Sequence, residues 1–340
     1  MPQTLTEHLP QVNWRNRRIV ITIVGCGGTG SQIVTGMPYL HQALLASGHP
    51  HGLQVFLVDG DRITETNCVW QPFSRSEVGL YKAVVLINRL NMFWGLDWEA
   101  VPHFVRCGQD VPDSDFLISC VDTRAARAAI ARVVRLKSRR FLYWLDSGNL
   151  ADRGQFVLGQ PLPKDRKDRA KRLPCVHELF PSIVNAQADK RDRLPACSAA
   201  EAIQLQEPYI NSTIANHVLA LLARLFRYGR IAYHGGFVNL ATGRVTPLAV
   251  DPATWLRLRK QAEKERAYLN RKPRSPARGG QQTDGAPPRV PLKPNKENYV
   301  HRTIANPQKP VANAYPGFGG RQRHSCERHS EAPEGRRFWG

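Results

Sequence analysis

No two cysteines in this chain are spaced as CxxC. The seven present, Cys26, Cys68, Cys107, Cys120, Cys175, Cys197 and Cys326, are odd in number and irregularly spread. That distribution argues against a disulfide framework and against the paired-thiolate ligand sets of structural zinc. His177, two residues from Cys175, is too little for a site, so no zinc is expected. Long apolar runs are missing as well. Nothing approaches the roughly eighteen apolar residues that span a bilayer, and the first twenty residues have no apolar stretch of the kind a secretory leader carries. The expectation is a soluble, cytoplasmic protein in a reducing compartment with no membrane partner.

Acidic residues are scarce relative to basic ones, 28 Asp and Glu against 48 Lys and Arg, for a net charge of +20. From Arg271 onward there are fourteen Lys or Arg and five Asp or Glu, which leaves +9 there and +11 in the body. The excess is spread, not gathered in one stripe. Non-specific nucleic-acid contact through the basic tail is compatible with it, whereas no helix-turn-helix, zinc-finger or RNA-binding signature supports sequence readout. The tail, residues 272–340, is rich in Pro, Gly and charge and cannot bury enough apolar surface to offset its ordering entropy, so it is expected to be mostly disordered. A second charged run, KDRKDRAKR over 164–172, reads as a solvated loop.

What the body does contain is alternation. Arg18–Val24 is a β-branched run suited to a buried strand. It is followed by GCGGTG and then by a segment that can be helical to Leu45. Further strands are expected at Leu53–Val58, Phe116–Val121 and Phe141–Leu145, with TRAARAAIARVVRL as a helix between the last two. A hairpin should form from Gly236–Leu240 and Arg244–Leu248 across Ala-Thr-Gly. The fold class is therefore α/β, a doubly wound, Rossmann-like, mostly parallel sheet with an antiparallel addition. The expected division is an arm over 1–16, a nucleotide-binding domain over 17–255, a helical linker over 256–271 and the tail.

Gly25, Gly27 and Gly30 form G-x-G-x-x-G between a strand and a helix, with Gly28 loosening the turn. Missing Cβ atoms there let backbone approach a phosphate, and the helix N-terminus attracts negative charge. A dinucleotide enzyme places its ribose-binding acid about twenty residues on. Here the first acid at a strand end is Asp59, 29 positions after Gly30 and within Asp59-Gly60-Asp61. An NAD-dependent oxidoreductase is accordingly disfavoured.

In order and spacing, GCGGTGS, LVDGD, Asn67, GLYKA and SCVDTRAAR resemble the HesA/MoeB/ThiF adenylating domain shared with ubiquitin-activating-type enzymes. The stretch PACSAAEAIQLQEPYINSTIANHVLALLARLF adds a resemblance to the ThiF family of PRTRC systems. The resemblance covers roughly residues 17–250. It implies ATP-dependent adenylation of the C-terminal carboxylate of a small ubiquitin-like protein ending in glycine. Gly25, Gly27, Gly28 and Gly30 would line the phosphates, and Asp59, with Asp61 beside it, would hold the ribose. Asn67, Gln71 and Lys82 would face the triphosphate, and Asp122 would hold Mg²⁺. Independently of any family, attack of a carboxylate on a phosphorus needs cationic neutralisation, which Lys82 and a metal at Asp122 can supply. A structural reading makes Lys82 an exposed helix lysine and Asp122 a helix N-cap.

The family pattern has an arginine three residues after the asparagine, where this chain has Trp70. Either Arg75, or Arg15 of a second copy, takes its place, or adenylation is impaired and the chain is a nucleotide-binding scaffold. Relatives form symmetric pairs, so a homodimer is expected. Cys197 precedes Ser198-Ala199-Ala200-Glu201, a capping-box pattern that puts the thiol at a helix N-terminus, where the dipole favours thiolate. By resemblance it is the thioester acceptor, with Cys175 in reserve and Cys26 and Cys120 read as packing residues.

Overall fold

A computed structural model describes residues 6–10, 14, 17–136, 141–162, 172–186 and 206–269. All of these fall in one compact unit, Met1–Gly280; a second unit, Gln281–Gly340, lies wholly outside them. Cys197 and its capping box, Arg15, the charged run up to Lys171 and the tail from residue 272 also lie outside the described residues.

Among the described residues, eight strands form one sheet: β1 Ile19–Val24, β2 Leu53–Val58, β3 Glu99–Val101, β4 Phe116–Ser119, β5 Tyr143–Asn149, β6 Arg153–Gly159, β7 Tyr233–Asn239 and β8 Arg244–Ala249. Their spatial order is β3-β2-β1-β4-β5-β6-β7-β8. The first five are mutually parallel, and β6, β7 and β8 are added antiparallel. The expected doubly wound class with an antiparallel hairpin is therefore present, and that hairpin is β7–β8. Two strands escape the sequence reading. β3 has only three residues, and β6 returns from β5 after only three residues, Leu150-Ala151-Asp152.

Among the described residues, seven helices accompany the strands: α1 Gly28–Ala46, α2 Asn67–Trp70, α3 Lys82–Trp94, α4 Arg124–Val133, α5 Val176–Leu179, α6 Ile210–Tyr228 and α7 Pro252–Leu269. Six of them fall into two packed groups, α1 with α3 and α6, and α5 with α7 and, through the turn Pro181–Val184, α4. Strand alternation feeds both. On β5, Tyr143 and Leu145 join the cluster that includes Ile33 of α1, Leu86 of α3 and Ile214 of α6. Trp144 and Asp146 point the other way, onto His177 of α5 and Arg127 of α4.

Two ends of the unit are stitched to this core. Trp14 packs its ring against Phe116, Tyr143 and Phe226, and His8 makes an antiparallel bridge to Ile231 and a 2.7 Å hydrogen bond to the Tyr143 hydroxyl. The segment expected as a linker from residue 256 continues α7, which buries Trp255, Leu258 and Ala262. Among the described residues, no helix is long and apolar enough to cross a membrane.

Candidate nucleotide-binding active site

The chain leaves β1 for β2 and β3 on one side, and later places β4 on the other. The carboxyl ends of β1 and β4 therefore border the point where strand order reverses, the usual ligand crevice of such sheets. The glycine loop follows β1 there. Gly25 has φ +97° and its amide donates to Val58 O at 2.9 Å; a Cβ on it would lie 2.8 Å from the Cys120 carbonyl oxygen. At Gly30 a Cβ would overlap the Gly25 carbonyl. These two glycines are required by close backbone approach, whereas at Gly27 a Cβ would meet nothing within 4 Å.

Asp59, at the end of β2, accepts from the Cys26 amide with one carboxylate oxygen and from the Asp61 amide, at 2.7 Å, with the other. Burial lifts its pKa above the ordinary value, against the pull of those two amides. The structure thus ties the glycine loop directly to the acid expected at the ribose. Beyond it, Gly60 lies under Phe104, and a cavity of about 320 Å³ is lined by Gly60, Tyr81, His103, Phe104 and Arg106.

Lys82 is not the exposed helix lysine of the structural reading. It is 6% exposed, and its Nζ sits 3.2 Å from Asp61 Oδ2, a half-exposed carboxylate. Its own amide donates to Asp61 O at 3.0 Å. Burying an ammonium against a partner that still faces water recovers only part of its lost hydration, so an anionic ligand is the natural complement.

Asp122 is exposed in the turn between β4 and α4. It does not cap α4: Thr123 does, its hydroxyl accepting from the Ala126 amide at 3.1 Å. The described residues hold no group of three or more His, Cys, Asp or Glu suited to a metal. A single carboxylate still fits Mg²⁺, which typically takes one or two carboxylates and fills its remaining positions with phosphate oxygens and water.

Asn67 is turned inward on its own segment, its Oδ1 accepting from Thr64 N at 2.9 Å and Thr64 Oγ1 at 3.0 Å. Trp70 Nε1 and Gln71 Oε1 are buried and have no hydrogen-bond partner among the described residues. Arg75 is exposed at the start of a 3-10 turn.

The thiols separate by burial. Cys175 is fully buried, packs against Gly159, and has its pKa pushed up by desolvation and by Glu178. It cannot serve as the reserve nucleophile, because burial disfavours its thiolate and closes access. Cys26 is likewise buried and raised well above its usual value, and Cys120 is pushed up to about 12 by desolvation.

Two groups escaped the sequence reading. Asp146, fully buried on β5, accepts from Arg127 Nε at 2.9 Å and Ser119 Oγ at 2.7 Å; Ser119 Oγ accepts in turn from Trp144 Nε1 at 2.8 Å. Arg127 also donates to Val121 O at 2.8 Å and Ser147 O at 3.2 Å, so it holds the turn that carries Asp122. The second group is Asn211 of α6, which meets Gly28 and Thr29 at the start of α1. Its only sequence signal is a polar cluster, Asn211-Ser212-Thr213, opening an apolar helix.

A glycine loop at the switch point, an acid gripping it from the next strand and a buried lysine beside that acid define a nucleotide-binding α/β protein. The ThiF family model matches residues 5–257, and the chain belongs to the ThiF family. No curated protein matches the chain. Among solved structures, it is similar to E. coli MccB with ATP, at 16% identity and a TM-score of 0.45 over 69% of this chain and 64% of that one. PaaA gives 15% identity and a TM-score of 0.45 over 69% and 65%. The chain thus spans less than two thirds of either protein's length.

Proposed function

We propose that the chain adenylates the C-terminal carboxylate of a small ubiquitin-like protein. A carboxylate oxygen attacks the α-phosphorus of ATP and a new O–P bond forms. The bond from that phosphorus to the oxygen bridging to the β-phosphate breaks, and pyrophosphate leaves with the electron pair. The observation that carries this reading is the buried Lys82 beside Asp61, two residues from the carboxylate that grips the glycine loop.

The parts then have distinct tasks. Amides of Gly27 to Gly30 at the start of α1 meet the phosphates, and Asp59 receives the ribose hydroxyls, with the base over Gly60 and Phe104. Lys82 neutralises charge on the departing pyrophosphate. A magnesium ion brought with the nucleotide would be held by Asp122 and would add to that neutralisation. Cys197 then attacks the acyl carbon as thiolate, forming a thioester as AMP leaves, a role that rests on the sequence pattern alone. A homodimer completes the proposal, with Arg15 reaching across to the place where Trp70 stands.

The test is exchange of labelled pyrophosphate into ATP, dependent on a small protein ending in glycine. Asp122→Ala should lower exchange on the order of a hundredfold or more, the scale for losing a charge-stabilising group. Exchange at the wild-type rate in that variant would remove Asp122 from the site. The alternative, a nucleotide-binding scaffold without catalysis, is favoured by Trp70 in place of the arginine. It predicts that ATP raises the melting temperature while no exchange occurs with any such protein.

A further inference from the structure

Helix α1, which opens on the phosphate loop, is packed by α3, the helix of Lys82, toward β2 and by α6 toward β5, and α6 puts a side-chain amide on the loop. A Cβ built on Gly28 would lie 2.7 Å from Cγ and Nδ2 of Asn211 and 2.8 Å from its Oδ1. All three atoms being equally near, the amide lies flat on Gly28. Any side chain at position 28 would displace it, which gives that glycine a second reason beyond phosphate access.

Thr29, buried in the first turn of α1, donates its hydroxyl to Asn211 Oδ1 at 2.9 Å and also approaches Asn149 Oδ1 of β5 at 3.4 Å. With its oxygen engaged, the group that Asn211 offers a ligand is its amide N–H2. Its position is fixed because Ile210 and Ile214 on either side are buried and α6 packs along α1. The first amides of α1 have no partner within the helix and attract anionic oxygen, so a phosphate on this loop lies beside Asn211.

We infer that Asn211 donates a hydrogen bond to the α-phosphate of the bound nucleotide, an inference that rests on the adenylating reading above. Asp59 places the ribose at one end of the loop, and Lys82, held on Asp61, approaches from that same strand-β2 side. The phosphate next to the ribose is the one that reaches Gly28, and the outer two turn toward the lysine. The carboxylate must enter opposite the departing pyrophosphate, hence from the α6 side. A neutral donor suits that side, since a cation there would hold the incoming carboxylate in a ground-state ion pair and an anion would repel it.

Calorimetric titration of the whole chain with ATP, ADP, AMP and adenosine tests the assignment. Asn211→Ala should weaken ATP, ADP and AMP alike, by about tenfold or more, and leave adenosine unchanged, the signature of one donor on the phosphate those three share. Asn211→Asp keeps the shape and the acceptor for Thr29 but sets a carboxylate beside the phosphate, so its loss should exceed that of the alanine variant. A loss confined to ATP would move Asn211 to the outer phosphates, an equal loss for adenosine would make it structural, and unchanged affinities would remove its role; each overturns the inference. Wild-type protein that binds none of the four would instead sink the adenylating reading, and the inference with it.

Discussion

Asp146→Ala removes the carboxylate of a buried ion pair and leaves the Arg127 guanidinium enclosed with only carbonyl partners. Arg127 and Asp146 are both buried and 2.9 Å apart, and the guanidinium keeps its bonds to Val121 O and Ser147 O. Breaking such a pair from one side costs about 3–5 kcal/mol. For a body of this size each kcal/mol moves Tm by about 2–4 °C, so the melting temperature should fall by about 6–20 °C. Arg127→Met behaves differently with pH. Burial already raises the Asp146 pKa against the opposing effect of Arg127. Without the cation it rises further, so the folded state holds a proton that the unfolded state has released. Stability therefore improves as pH falls through the folded pKa, and the deficit of Arg127→Met should shrink from pH 8 toward pH 5. The deficit of Asp146→Ala should not shrink over that range, since only chains that keep the carboxyl gain stability as pH falls through its raised pKa. Chemical denaturation at several pH values reads both effects. A loss under about 1 kcal/mol for Asp146→Ala, or parallel pH curves for the two variants, would refute the account of this pair.

The glycine loop gives a paired test: Gly30→Ala should abolish ATP-dependent thermal stabilisation because its Cβ overlaps the Gly25 carbonyl, whereas Gly27→Ala, open on that side, should keep it. Equal behaviour of the two would contradict the loop geometry. Cys175→Ser should lower Tm and leave any thiol-labile conjugate intact, while Cys197→Ser should keep pyrophosphate exchange and lose the conjugate; the reverse pattern would place the nucleophile at Cys175 despite its burial. His234 accepts from Trp255 Nε1 at 2.9 Å through Nε2 and donates to Leu158 O at 2.7 Å through Nδ1, and burial lowers its pKa to about 4. Protonation would set a second hydrogen against the indole N–H, so stability is full above about pH 6.5 and declines toward pH 4, by on the order of 3 kcal/mol. In His234→Gln the fall of Tm between pH 7 and 4.5 should be shallower; an unchanged slope would count against it.

The sequence by itself determined the local parts of this protein, because their causes are local. A β-branched run makes β1, glycines at 25, 27, 28 and 30 make the loop, and Asp59 ends the next strand, so fold class and phosphate loop could be read in order along the chain. The β7–β8 hairpin could be read for the same reason. Strand β3 could not, since three residues acquire their identity only by pairing with β2. The sequence could offer Lys82 as a helix lysine but could not say that the helix would bury it against Asp61, and a residue before Thr123 looks like a cap until the threonine hydroxyl is found doing it. Tertiary structure alone decided that Cys175 is closed off, that Asp146 is held by Arg127 from the neighbouring helix, and that Asn211 lies across Gly28 from 183 residues away. Each is a meeting of elements distant in the chain. Such contacts are set by how sheet and helices pack, and no spacing along the sequence encodes them.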